Sequence, residues 1–228
     1  MRFVATLVAL AASTALAQSH FVFVYVPDRE AEARLVFGHG AKPDPDSFPT
    51  RAEKTTLTAR TADGKATKLA VEKGDGNFFR AKFPKDRPVV VFGVTDAGVT
   101  QRGDNPPFLT WYYPKAILGD AFASNASLGE AAPMEIEPVH EGDKVRFRVR
   151  FSGKPLPNAE VTIGVPADGD AKDETAKTDM DGMTASFSAR GRYCVAARKL
   201  DETPGERDGK KYSAVRHVAT LVFDFPKK

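Results

Sequence analysis

Val145-Arg146-Phe147-Arg148-Val149-Arg150-Phe151 alternates apolar and cationic side chains without a break. Period two puts the valines and phenylalanines on one face of a strand and the three arginines on the other, so one face is buried and one is wet. Ser152 to Asn158 follows with Pro155 and Pro157, which cannot donate to a ladder, and reads as a turn. Ala159 to Val165 is the next strand, and Thr178-Asp179-Met180-Asp181-Gly182 a second tight turn. Met183 to Ser188 and Tyr193 to Ala197 continue the sheet, and Tyr212 to Phe225 is long enough to close it. Short strands at this spacing predict a β-sandwich.

Towards the N-terminus the same vocabulary recurs. Phe21 to Val26, Glu32 to Phe37, Thr55 to Ala59, Thr67 to Val71, Phe78 to Phe83 and Val89 to Val94 are short, Val- and Phe-rich, and separated by turn formers such as Asp63-Gly64. Phe108 to Tyr113 is close to continuously apolar, as a strand covered on both faces would be. From Leu118 to Pro133 the pattern dissolves into Gly, Ala, Ser and Asn, which reads as a linker. No βαβ alternation occurs. The expectation is an all-β chain of two β-sandwich domains, 18–117 and 134–228, joined by 118–133 and preceded by a signal peptide over 1–17.

That signal has three parts. Met1-Arg2 gives a positive start, Phe3 to Ala12 an apolar run, and Ala15-Leu16-Ala17 small residues where a signal peptidase looks. A cut between Ala17 and Gln18 is expected, with a cut after Ser19 as the alternative. Export to a periplasm or the extracellular space follows. No second apolar run approaches the roughly 20 residues of a membrane span. Cys194 is the single cysteine of the chain, so no internal disulfide forms and core burial must hold the fold together. A net charge of +3 over 228 residues gives no footprint for nucleic acid.

Chemistry-bearing residues are few. His20 follows the expected cut closely enough to matter in either case. With Gln18-Ser19-His20 at the N-terminus, a free amine, two amide nitrogens and the third-position imidazole can enclose Cu(II) or Ni(II) in a square plane. With His20 first, its amine and ring can hold copper together with a second histidine. His217 is in register with Val215, Ala219, Leu221 and Phe223, so it faces the core as either a hydrogen-bonded imidazole or the second metal ligand. Gln18, Ser19, His20 and His217 are therefore the candidate metal residues. His39, in Gly38-His39-Gly40 ahead of Asp44 and Asp46, reads as a solvated loop residue, with a metal site shared with Asp44 and Asp46 as the lesser alternative. His140 reads as a solvated turn residue.

No zinc-protease motif, paired cysteines or nucleophile elbow is present, no organic cofactor is indicated, and a non-enzyme is expected. A copper oxidant built on an N-terminal His20 ranks behind that reading. Asp179-Met180-Asp181-Gly182 lacks the downstream Glu of a calcium loop. Trp111-Tyr112-Tyr113 is either core or an aromatic platform for a sugar ring or a protein. Asn125-Ala126-Ser127 fits a glycosylation acceptor.

Gly153-Lys154-Pro155-Leu156-Pro157-Asn158-Ala159-Glu160-Val161-Thr162-Ile163, with Thr178-Asp179 and Gly182 downstream, resembles the carboxypeptidase-regulatory or transthyretin-like β-sandwich, a fold without chemistry of its own. The whole mature chain resembles a family of exported two-domain β proteins associated with nickel or cobalt uptake. The resembling residues are His20-Phe21-Val22-Phe23, Trp111 to Ala116 and Tyr212 to Phe223. That resemblance implies transition-metal handling outside the cytoplasm, with a membrane transporter or surface protein as partner. Gln18 and Ser19, between the expected cut and His20, depart from many members. The rival expectation is a non-catalytic binding or structural sandwich for a surface protein or glycan.

Overall fold

A computed structural model describes residues 20–28, 30–84, 86–101, 103–167 and 171–226. The first half of the chain forms β1 (Phe21–Tyr25), β2 (Glu32–Gly38), β3 (Thr55–Arg60) and β4 (Ala66–Leu69). It continues with β5 (Glu72–Lys73), β6 (Phe79–Lys82), β7 (Val90–Thr100) and β8 (Phe108–Ile117). After two short 3-10 turns come β9 (Met134–Glu141), β10 (Lys144–Phe151), β11 (Lys154–Pro155) and β12 (Glu160–Val165). The last strands are β13 (Lys172–Lys177), β14 (Gly191–Asp201), β15 (Gly205–Arg207), β16 (Lys210–Tyr212) and β17 (Ala214–Phe225). The chain is all-β, as its patterning predicts.

The alternation in β10 resolves as read. Val145, Phe147 and Val149 are fully buried, while Arg146, Arg148 and Arg150 keep a partly open face. Phe147 meets Tyr193 and Phe223 at ring-centroid distances of 5.6 and 6.1 Å. The turn after Thr178 explains its glycine. Gly182 sits at φ +71°, and a Cβ there would lie 2.6 Å from the Val149 carbonyl oxygen. Its own carbonyl accepts the Val149 N–H at 2.8 Å, so only a residue without a side chain lets this turn back onto β10.

Three strand readings change. Met183 to Ser188 is not a continuous strand: it pairs with β10 through two isolated bridges, Arg148 to Met183 and Val145 to Phe187, and through hydrogen bonds of Thr184 to Phe147. Two strands are added: β9, which buries Met134 and Ile136 and contains Pro138, and β13, which is almost wholly polar and exposed. Both are edge strands, where a missing N–H or a charged face costs little.

The division at 118–133 changes too. One eight-stranded sheet, ordered β13-β12-β14-β17-β8-β7-β3-β4, takes strands from both halves. Its junction is a parallel pairing of β17 with β8, from Ala214 opposite Phe108 to Phe223 opposite Ile117. The stretch read as a linker is packed: Ala121, Ala126, Leu128 and Ala132 are buried in the core. The physical reason is burial on both faces. β8 and β17 are apolar almost throughout because neither is an edge, and each gives one face to each of two cores.

On one face, Tyr113, Leu221 and Phe223 pack against Ile136, Phe147 and Val149 of the sheet β9–β10–β11. On the other, Tyr112, Val218 and Val222 pack against Phe21 to Val24 and Leu35 of the sheet β1-β2-β6-β5. Two sandwiches thus share their middle sheet. Among the described residues no helix is long and apolar enough to cross a membrane.

Candidate metal centre

His20 stands immediately before β1, and the pairing of β1 with β2 decides its neighbour. Phe21 lies opposite Gly38 in this antiparallel ladder, so the next residues outward, His20 and His39, are carried to the same end. Their ring centroids are 4.2 Å apart, with planes at 54°. Phe37 flanks His20 at 5.5 Å. The chain beyond β2 then folds back, bringing Asp44 Oδ2 to 3.2 Å from His20 Nε2.

That return loop is tied down at several points. The Asp46 N–H donates to Asp44 Oδ1 at 2.9 Å, and Asn77 Nδ2 donates to the carbonyls of Asp44 and Pro45 at 2.8 and 2.9 Å. The Ala41 N–H reaches Cys194 Sγ at 3.3 Å. These bonds hold Asp44 over His20 and stop the loop swinging into solvent. The site is partly open, with the His20 side chain 37% and that of Asp44 19% exposed.

Electrostatics favour the ligand forms of two residues. Burial, followed by repulsion from His20, lowers the His39 pKa and favours neutral imidazole, the form that binds metals. The Asp46 backbone N–H, chiefly, holds the Asp44 carboxyl below its usual range, and the contact with His20 adds to this. Two imidazoles and a carboxylate form a donor set suited to Cu(II), Ni(II) or similar borderline ions. Here that set is engaged with itself through the His20–Asp44 hydrogen bond. Among the described residues no three His, Cys, Asp or Glu converge closely enough to hold an ion without rearrangement.

The other candidate residues fall elsewhere. Gln18 and Ser19 lie outside the described residues. His217 is not beside His20: its Nδ1 bonds Tyr113 Oη at 2.8 Å, and its ring stacks on Tyr113 and meets Phe151 edge-on at 4.9 Å. Those partners belong to the core on the β9–β10 face, whereas His20 leads into a strand packed on the opposite face of the central sheet. His217 is thus a half-buried histidine bonded to Tyr113, and the structure does not bring it to His20. Burial lowers its pKa.

His140 is exposed at the end of β9, against Phe122. Tyr112 and Tyr113 are buried on opposite faces of β8, and Trp111 is half-buried beneath the Arg207 guanidinium, so no aromatic platform is presented. Cys194 is a half-buried free thiol whose pKa burial pushes up to about 11, which makes it a poor nucleophile. Asp179 spends its Oδ1 on the N–H groups of Asp181 and Met183, as a turn residue does.

No sequence pattern announced one feature, the ion pair of Lys115 with Glu135. Nζ lies 2.6 Å from Oε1, with side chains 2% and 4% exposed. Glu135 Oε1 also accepts the Leu128 N–H at 2.8 Å. The pair therefore ties the central sheet, β9 and the 118–133 segment together.

No family model matches the chain, and no curated protein does. Among solved structures, the crystal structure of a tetra-tandem repeat in the extending region of a large adhesion protein matches at a TM-score of 0.22 and 15% identity. The match covers 90% of this chain and 49% of that one, so the chain spans about half the length of the solved chain it matches. At that TM-score the likeness carries no argument about fold or function.

Proposed function

We propose that the protein is an exported metal-binding or metal-delivery protein for Cu(II)- or Ni(II)-type ions, with the metal held at His20. The carrying observation is the convergence of His20, His39 and Asp44 at one end of the β1–β2 ladder. The hairpin and its return loop bring His39 and Asp44 beside the histidine that the expected signal cleavage leaves at or near the N-terminus. The resemblance to nickel- and cobalt-uptake proteins points the same way, with a transporter or surface protein as the partner receiving the ion.

His39 takes the role that an N-terminal His20 requires of a second imidazole. Asp44 supplies a carboxylate once its bond to His20 is released, and it offsets the charge of the bound cation. A cut after Ala17 leaves the Gln18-Ser19-His20 chelate as the competing geometry. Both need deprotonated nitrogen, so binding releases protons and weakens as pH falls.

Calorimetric titration of the mature protein with Cu(II) and Ni(II) tests the proposal. Copper binds more tightly than nickel, following the order for nitrogen sites. His20→Ala abolishes the tight site, and His217→Ala leaves it intact. Loss in His39→Ala assigns the paired-imidazole geometry, and retention assigns the N-terminal chelate. Unchanged affinity in His20→Ala overturns the proposal.

A further inference from the structure

A second site lies between the 118–133 segment and the β9–β10 sheet, independent of the histidine site. A cavity of about 310 Å³ opens there, and Lys115, Phe122, Ser127, Glu137, Val139 and Arg148 contribute to its wall. A smaller one of about 150 Å³ shares Ser127 and Glu137 and adds Glu135 and Arg150. The buried Lys115–Glu135 pair sits between them, Lys115 on the larger cavity and Glu135 on the smaller.

A buried ion pair is weak evidence for stability, since apolar residues of the same volume serve as well or better. Charged groups buried at a cavity wall are, in contrast, a recurring mark of ligand sites. The charge arithmetic then gives the ligand. Lys115, Arg148 and Arg150 face two carboxylates, Glu135 and Glu137, leaving one positive charge uncompensated. Hydrogen-bond geometry shows which. Lys115 holds Glu135 at 2.6 Å, and Arg150 Nε holds Glu137 at 3.0 Å. Ser127 Oγ donates to the same Glu137 at 2.8 Å. Arg148 has only a distant 3.8 Å approach to Glu137. Its guanidinium is the available cation, and Phe122, Ala126 and Val139 supply an apolar wall beside it.

We infer that this cavity binds a small amphipathic monocarboxylate, its carboxylate on Arg148 and its apolar body against Phe122 and Val139. A guanidinium suits a carboxylate because it donates two parallel N–H bonds. One negative charge balances the wall, whereas a cation or a dianion does not.

Hexanoate is the probe, with hexanol as its uncharged counterpart and hexylamine as its opposite. Amide chemical shifts and calorimetry on the full mature chain give the readout. Hexanoate should shift resonances of the 121–127 segment and of the strand bearing Arg148, while hexanol and hexylamine bind at least about tenfold more weakly. Arg148→Gln should weaken hexanoate by about tenfold, the loss expected for one charge-assisted hydrogen bond. Its thermal midpoint should stay near that of the native chain, because Arg148 is partly open to solvent. Arg146→Gln, whose side chain is engaged by Asp179 and the Thr184 carbonyl, should leave affinity unchanged. No shift around the cavity with hexanoate, equal binding of hexanol, or undiminished binding in Arg148→Gln would each overturn the assignment.

Discussion

Replacing Lys115 by Met removes one half of an ion pair that water does not reach. The ammonium lies 2.6 Å from Glu135 Oε1 and 3.4 Å from the Ala126 carbonyl, and its side chain is 2% exposed. Methionine fills the same volume, so little cavity forms and the loss is electrostatic. Glu135 is left as a buried carboxylate satisfied by the Leu128 N–H and a long Ser127 contact, at a cost of about 3–5 kcal/mol. That is a large share of the roughly 5–15 kcal/mol that holds a typical domain together. Adding Glu135→Leu removes the stranded charge but orphans the buried Leu128 N–H, which costs about 1–3 kcal/mol. The double variant should therefore be more stable than Lys115→Met alone, by roughly 2 kcal/mol. Urea unfolding followed by far-ultraviolet circular dichroism and by Trp111 fluorescence measures both. The two probes should report one transition, since Trp111 lies on β8 of the shared sheet. A loss below about 1 kcal/mol in Lys115→Met, or no recovery in the double variant, would mean that the buried pair does not carry this stability.

Two further outcomes follow from burial and charge. Phe147→Asp places an unpaired carboxylate in a fully buried site and should lower stability by several kcal/mol (about 3 or more), whereas Arg148→Ser should stay within about 0.5 kcal/mol of the native protein in the same urea titration. His217 has a folded pKa below its ordinary value, so below about pH 6.5 the unfolded chain takes up a proton that the folded chain resists. Stability should fall as pH drops through that window and level off once the folded ring is also protonated. His217→Gln should flatten this slope relative to the native protein.

Local structure was legible where one face of a strand is wet. The arginine alternation in β10 and the turn at Gly182 could be read residue by residue, because period two and a positive φ leave direct marks on sequence. The near-continuous apolar run of Phe108 to Tyr113 correctly signalled a strand covered on both sides. What covers it was not legible. The covers are the two outer sheets, and beside β7 the second strand neighbour of β8 is β17, roughly a hundred residues later; apolar patterning carries no address for such long-range contacts. The 118–133 segment misled because Ala, Ser and Gly read as linker, yet small residues such as Ala121, Ala126 and Ala132 also allow close packing into a core.

The histidines divide in the same way. Register put His217 on the β17 face that bears Ala219, Leu221 and Phe223, where it is half-buried and bonded to Tyr113. Pairing it with His20 failed because the central sheet lies between them. His39 held part of the missing signal: a hairpin of β1 and β2 with Phe21 opposite Gly38 puts His20, just before one strand, beside His39, just after the other. Asp44 carried no such signal, since its place depends on how a loop anchored by Asn77 and Cys194 folds back.

Whether His20 and its neighbours hold a transition metal is decided by the spin-resonance spectrum of the mature protein loaded with one equivalent of Cu(II). A metal held at His20 gives a tetragonal spectrum with nitrogen hyperfine structure that includes imidazole coupling and is lost in His20→Ala. A spectrum of aqueous copper in the native protein, or an unaltered protein-bound spectrum in His20→Ala, would contradict it.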